Sequence, residues 1–513
     1  MQTARYTQFS GLLNIGTTDF NKQANELSAC KNCYEYEIGK LEKVPGYTKG
    51  ADTVVVSDKD VRFLHYYSFS GGFEGSTGLI FTNNYLIAAC NDGSGNTILK
   101  YIADQESAVP QTLKNFTTIQ TITGFIDVNL SAADYLGKVF VVGAQESILS
   151  GVPITPFTIA GQYSISTLTY STADSDLPDD IVGKYIIRYR DLLYILNCRE
   201  GDHITGSHYP SRAYYCNAPI AGAITWDSDT NFIEFGFEDG DEITGAVEAL
   251  DRLLVFKRFS VWLYDEDVRR KIADIGCDSY KSIISIEGIP YWFNRSGVYR
   301  WGGNQPQLIS AKVQEFIDSI DQTTLHTLSA IRHEFEYRLF IGDVTVRGMT
   351  YVNCWICFDT KREIWYIRST YHKAISCSLY VHEYKKRSYF GSDNGWVYKF
   401  AIKTDNIYAD DDNEIDSFFI TNNLDFGVPE IKKYNTQLTV FSKNPQAMVL
   451  SIDADNKDTF NIARGSVLTR NVENINVNGE GHRFRYKFTE KSKNQSWQFE
   501  GFTVDVDIKE KEI

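Results

Sequence analysis

A short phrase recurs along most of the chain and limits what it can fold into. A charged or polar residue introduces four to six apolar or aromatic residues, a turn follows, and a second aromatic run answers. The phrase is legible at residues 83–102 (NNYLIAACNDGSGNTILKYI), 137–151 (GKVFVVGAQESILSG), 189–202 (YRDLLYILNCREGD), 251–265 (DRLLVFKRFSVWLYD), 289–301 (IPYWFNRSGVYRW), 337–359 (YRLFIGDVTVRGMTYVNCWICFD) and 387–400 (RSYFGSDNGWVYKF). Its starts fall about 40 to 60 residues apart. Strand pairs at that spacing, with no helical period between them, are the signature of propeller blades. Because blades can merge or split at this spacing, the expectation is six or seven of them. A blade buries one face on each neighbour, so its strands are apolar on both sides. Rings such as Tyr291, Trp292, Tyr299 and Trp301 then fill the wedges between blades. Composition agrees: 32 Tyr and 31 Phe against 3 Met and 11 Pro favour pleated, half-buried strands over helices.

The flanks read differently. Residues 1–50 form a leading extended or hairpin segment, running through Tyr34-Glu35-Tyr36-Glu37-Ile38, a turn at Gly39, and Val44-Pro45-Gly46-Tyr47. Residues 51–416 form the β-propeller. Within them, 311–331 holds one short amphipathic helix, with Val313, Phe316, Ile317 and Ile320 at a 3–4 spacing. From 417 to 513 the strands lengthen and alternate, as in a C-terminal β-sandwich. The expected fold class is therefore all-β: a β-propeller with a C-terminal β-sandwich-like domain.

A net charge of −15 disfavours a groove that grips phosphate. It is compatible with a passive conduit whose wall repels DNA. The first twenty residues lack the charged start and apolar core of a signal peptide. No apolar run approaches the roughly 18 residues that span a bilayer. Nine cysteines, an odd number without a leader, point to reduced thiols. The sequons at Asn115 and Asn294 are accordingly expected to be unused.

Four patterns invite chemistry, and each falls short. Cys30-Lys31-Asn32-Cys33 and Cys354-Trp355-Ile356-Cys357 have zinc spacing, but residues three apart on a strand point to opposite faces, so the second pair cannot chelate. Asp453, Asp455 and Asp458 open like a calcium loop, yet Arg464 stands where a bidentate Glu is needed. Asp425-Phe426-Gly427 matches the kinase metal triplet in letters only. The segment 391–398 (GSDNGWVY) faintly resembles the repeated turns of propeller sialidases, without their spacing, and no carboxylate pair stands out. The expectation is no catalytic residue, no cofactor, no metal site and no enzymatic activity.

The stretch NELSACKNCYEYEIGKLEKVPGYT resembles the start of tail and tail-hub proteins of short-tailed bacteriophages. There a strand carrying G-x-L-x-x-x-P-G-[YI]-T leads into the propeller, and the pattern here occupies Gly39 to Thr48. Residues 251–265 and 275–310 are similar to central blades of the same family, which includes the packaged-DNA stabilisation (tail hub or nozzle) proteins. The C-terminal run, from LDFGVPEIKKYNTQLTV to WQFEGFTVDV, resembles their terminal β-sandwich.

The resemblance implies a structural virion protein of the phage tail, assembled in the host cytoplasm. It would form a homo-oligomeric ring, a hexamer, below the portal and adaptor ring proteins. Tail fibre or needle proteins would be its other partners, and the ring would retain packaged double-stranded DNA and line its ejection channel. The alternative is a receptor- or glycan-binding module of such a tail. On the first reading the lumen wall is expected to be acidic and weakly adhesive to DNA, an expectation motivated by the net charge and by runs such as Glu238-Asp239-Gly240-Asp241-Glu242 and Asp410-Asp411-Asp412.

Overall fold

Seven four-stranded antiparallel sheets follow one another around an axis in the computed structural model. It describes residues 2–17, 22–23, 25–73, 80–104, 115–145, 153–161, 168–201, 205–266, 268–382, 385–445, 447–455, 457 and 460–508. Six blades are sequential: 61–122, 128–171, 181–234, 243–273, 284–308 and 329–369. The seventh takes three strands from 374–400 and its fourth, Tyr47–Lys49, from near the N-terminus. The first strand of each blade touches the first strand of the next, and Ala374–His382 of the last touches Val61–Phe73 of the first, so the wheel is closed. The fold is an all-β, seven-bladed propeller. Helix α1 (Gln314–Asp318) is a single short piece, and Val313, Phe316, Ile317 and Ile320 are buried around it.

The aromatic hairpins behave as their period of two dictates. In Ile289–Asn294, Trp292 points back to blade 4, with its ring 5.0 Å from that of Phe256. Its neighbour Tyr291 points forward to blade 6 and stacks on Tyr337 at 5.7 Å. Tyr299, on the paired strand, stacks on Trp292 at 5.9 Å. Five interblade gaps hold separate apolar clusters, and the gaps between blades 5 and 6 and between blades 6 and 7 share one cluster with the core of the terminal domain. Trimming one such ring to Ala costs roughly 3–5 kcal/mol, because the rigid blades cannot close on the hole.

Residues 1–50 are shared between two bodies. Gln2–Tyr6, Cys33–Glu37 and Lys40–Lys43 lie in one sandwich sheet with Lys433–Lys443, Val472–Gly481 and Gln498–Ile508. Leu12–Leu13 and Glu26–Lys31 lie in the other, beside Ile415–Thr421, Phe484–Ser492, Met448–Ala454 and Asn461–Leu468. The chain then turns at Val44-Pro45-Gly46 and delivers Tyr47 to blade 7. A side chain at Gly46 would run into the Ala409 carbonyl, which explains the glycine.

The sandwich sits on the outer edge of blade 6. Asn32, in the left-handed region at φ 56°, donates its N–H to the Ile367 carbonyl (2.9 Å), and its Oδ1 accepts from the Ser369 N–H (2.8 Å). An open strand edge is thereby covered. The Tyr34 hydroxyl donates to the Asp359 carboxylate, and Arg362 donates to the Glu35 and Tyr36 carbonyls.

Within the run Asp410-Asp411-Asp412 only Asp410 is buried, and each carboxylate has a cation beside it. Asp410 is buried 3.4 Å from Arg368, Asp411 lies 4.0 Å from Lys49, and Asp412 lies 3.3 Å from Lys493. Burial pushes the Asp410 carboxyl up to about 6, outweighing the nearby Arg368 charge.

One ion pair is fully enclosed. Lys43 Nζ lies 2.9 Å from Glu490 Oε2, with both side chains at 0% exposure, and Trp497 Nε1 (3.0 Å) and Ser417 Oγ (3.0 Å) donate to the same oxygen. Lys43→Met would leave that carboxylate buried without its cation and should cost about 3–5 kcal/mol. Lys31→Met, whose partner Asp416 is half exposed, should stay within about 1 kcal/mol. Chemical-denaturation midpoints of the two variants check the contrast.

Candidate functional site

Each blade enters the wheel along its inner strand, so the residues that start those strands converge on one face. Asn129, Lys184 with Tyr185, and Glu242 with Thr244 come from three successive blades. With the turn between blades 4 and 5 they line a pocket of about 350 Å³.

That turn, Tyr280–Ser282, reaches across the axis. The Tyr280 hydroxyl donates to the Leu130 carbonyl of blade 2 (3.1 Å), Lys281 Nζ donates to Asn129 Oδ1 (2.9 Å), and the Tyr280 ring lies 5.1 Å from that of Tyr185. Behind it, Ser279 Oγ donates to the Leu328 carbonyl (2.6 Å), and Tyr337 donates from its hydroxyl to the Ser282 carbonyl (2.9 Å). The pocket therefore has a pinned floor on the propeller axis.

Its charges are arranged in pairs. Glu242 Oε2 accepts from Lys184 Nζ (3.2 Å) and Asn197 Nδ2 (3.2 Å). Burial alone would raise the Glu242 carboxyl. The Lys184 ammonium, those two hydrogen bonds and the Arg258 charge outweigh burial and hold it below the ordinary carboxylate range. Asp278 accepts from Arg295 twice, from Nη2 (2.8 Å) and from the backbone N–H (2.6 Å). A glycosidase acid needs a raised pKa to stay protonated; Glu242 is instead an anion ready to accept hydrogen bonds from hydroxyls.

At the rim stands Phe259, on the turn between the second and third strands of blade 4. It is 54% exposed, with the Arg258 and Arg295 guanidinium groups each 5.7 Å from its ring centre. The turn is built from below. Asp241 accepts from the Phe259 N–H (3.1 Å) and from Ser260 Oγ (3.0 Å), and burial pushes its carboxyl up despite these bonds. Buried Lys257 lies 2.6 Å from Asp239 and donates to the Phe235 carbonyl (2.8 Å). Within the run Glu238 to Glu242, Asp239 and Asp241 thus hold the Phe259 turn, while the Glu242 carboxylate lines the pocket.

The motifs singled out in the sequence lie elsewhere. Cys354 lies within electrostatic reach of both Cys357 and Cys30, and Cys357 within reach of Arg338 and Glu336. All four thiols of the two pairs are buried and free. Among the described residues no cluster of His, Cys, Asp and Glu could hold a metal, and no helix is long and apolar enough to cross a membrane. Asp453 pairs with Arg485, and Asp455 accepts from the His482 (2.6 Å) and Arg483 (3.2 Å) N–H groups. Asp458 lies outside the described residues. Asp425 closes a local turn by accepting from the Gly427 N–H (2.9 Å). In 391–398, Asn394 caps its hairpin by accepting from the Trp396 N–H (3.1 Å), while Lys49 sits 4.2 Å over the Trp396 ring. Asn294 is buried, with Nδ2 bonded to the Gly276 carbonyl (3.2 Å).

No family model and no curated protein matches this chain. Among solved structures it is similar to an exo-β-1,3-galactanase from Phanerochaete chrysosporium with galactose, at a TM-score of 0.25 and 8% identity, over 90% of this chain and 100% of that one. It is also similar to a glycoside hydrolase, at a TM-score of 0.24 and 11% identity, over 74% of this chain and 97% of that one. Neither is a phage tail protein. Both carry hydrolase names, against the expectation of a chain without enzymatic activity. At these TM-scores the likeness says nothing about reaction or substrate.

Asp241→Ala should cost about 1–3 kcal/mol by orphaning the Phe259 and Ser260 donors. It should also open the Arg258 peptide bond to trypsin. Thermal melts and timed proteolysis measure the two effects.

Proposed function

We propose that this chain is a β-propeller binding module whose axial pocket and Phe259 rim recognise a glycan. The observation that carries this reading is the pairing of an exposed, positioned aromatic ring with a pinned polar pocket. A sugar offers an apolar ring face and a belt of hydroxyls. Phe259 can take the first, and Glu242, Asn129 and Thr244 can bond the second. The floor is built before the ligand arrives, so little ordering cost falls on binding. Phe259→Ala should leave the melting temperature within about a degree or two, since an exposed ring contributes little to stability. It should weaken glycan binding by about tenfold or more. Binding on a glycan array, followed by titration of the best glycan, checks this. Absence of retention by the intact wild-type chain would remove the reading.

A second reading, the ring-forming tail hub or nozzle subunit, is favoured by apolar side chains standing clear of the surface. Ile38 is 83% exposed and Ile220 80%, each at a turn, and Val268 on the outermost strand of blade 4 is 63% exposed. Burial of such residues between copies would stabilise a ring. Mass photometry of the purified chain, together with negative-stain images, should then show closed six-copy rings that disperse on Ile38→Asp or Ile220→Asp. A monomer at micromolar concentration would refute it.

A further inference from the structure

We infer that the axial pocket selects acidic glycans, with Arg258 as the group that pairs with the sugar carboxylate while the sugar ring lies on Phe259. This rests on the glycan-binding reading above and adds the chemical class of the ligand. The chain as a whole carries −15, yet the pocket lining holds Lys184, Arg258 and Arg295 against Glu242 and Asp278, three cations less two carboxylates, or +1. The pocket lining is thus not anionic, in contrast to the chain as a whole.

The three cations are not equivalent. Lys184 is committed to Glu242 at 3.2 Å and Arg295 to Asp278 at 2.8 Å. Arg258 is exposed and makes no ion pair among the described residues; its guanidinium rests beside the Phe259 ring at 5.7 Å. Its backbone is fixed, since its N–H donates to the Glu242 carbonyl at 3.0 Å, so the guanidinium, which acts on the Glu242 carboxylate only at a distance, is held at the pocket lip. A guanidinium fork matches a carboxylate in two parallel hydrogen bonds, and a ring next to it supplies a stacking face. A neutral sugar would use the ring and leave the fork idle.

The test uses the full chain and an array pairing uronic- and sialic-acid oligosaccharides with carboxyl-reduced or desialylated neutral counterparts. The expected result is retention of acidic members over their neutral partners, weakening as salt rises. Arg258→Gln should lower affinity for the acidic member roughly ten- to a hundredfold and leave the neutral one unchanged. Arg258→Lys should recover part of the loss. Equal binding of acidic and neutral partners, or an Arg258→Gln variant that still prefers the acidic one, would overturn the inference while the glycan-binding reading stands. No retention of any glycan would overturn both. Near-ultraviolet circular dichroism of each variant confirms that a loss is not unfolding.

Discussion

A blade with two apolar faces can be taken out of water only by another blade on each side, and only a closed wheel supplies both neighbours for every one. That constraint organises the whole molecule. It explains why alternate residues of Ile289–Asn294 send Trp292 toward Phe256 and Tyr291 toward Tyr337. It also explains why the last blade borrows Tyr47–Lys49 from the start of the chain. A wheel left open would expose two apolar faces; the borrowed strand ties the joint with backbone hydrogen bonds and with Tyr47 packed on Phe390 and Tyr398.

The borrowed strand has a further consequence. The chain contributes to the sandwich before it reaches blade 7 and returns to the sandwich after Ile415, so the terminal domain is laced to the wheel at both ends. Asn32 and Tyr34 then hold it against blade 6, and the apolar core runs through without a break. The enclosed Lys43–Glu490 pair links a strand from each end of the sequence. A buried charge pair adds little net stability against apolar replacements, but a mispaired strand would strand one charge in the core, which favours one register over its neighbours.

Closure also concentrates function. Inner strands from different blades bring their first residues to one place, so a pocket assembles from side chains far apart in sequence. The crossing turn at Tyr280 seals the axis below it, and the acidic run of 238–242 becomes the scaffold that presents Phe259 and Arg258. Charges that look alike in the sequence therefore divide into those spent on architecture and those left to meet a ligand.

Period-two aromatic hairpins at blade spacing were enough, without coordinates, to determine an all-β propeller followed by longer sandwich strands, because alternation and turns are local. The faces of Cys354 and Cys357 follow from the same rule. The site was not legible in this way. Arg258 and Phe259 sit inside a phrase that reads as strand, and nothing near them in sequence shows that Asp241 turns them outward. Tyr280 carries no local sign that it bonds to Leu130, and Tyr47 none that it belongs to the last blade. These are contacts between residues tens to hundreds of positions apart, whose geometry is set by ring closure, so only the tertiary structure could decide them.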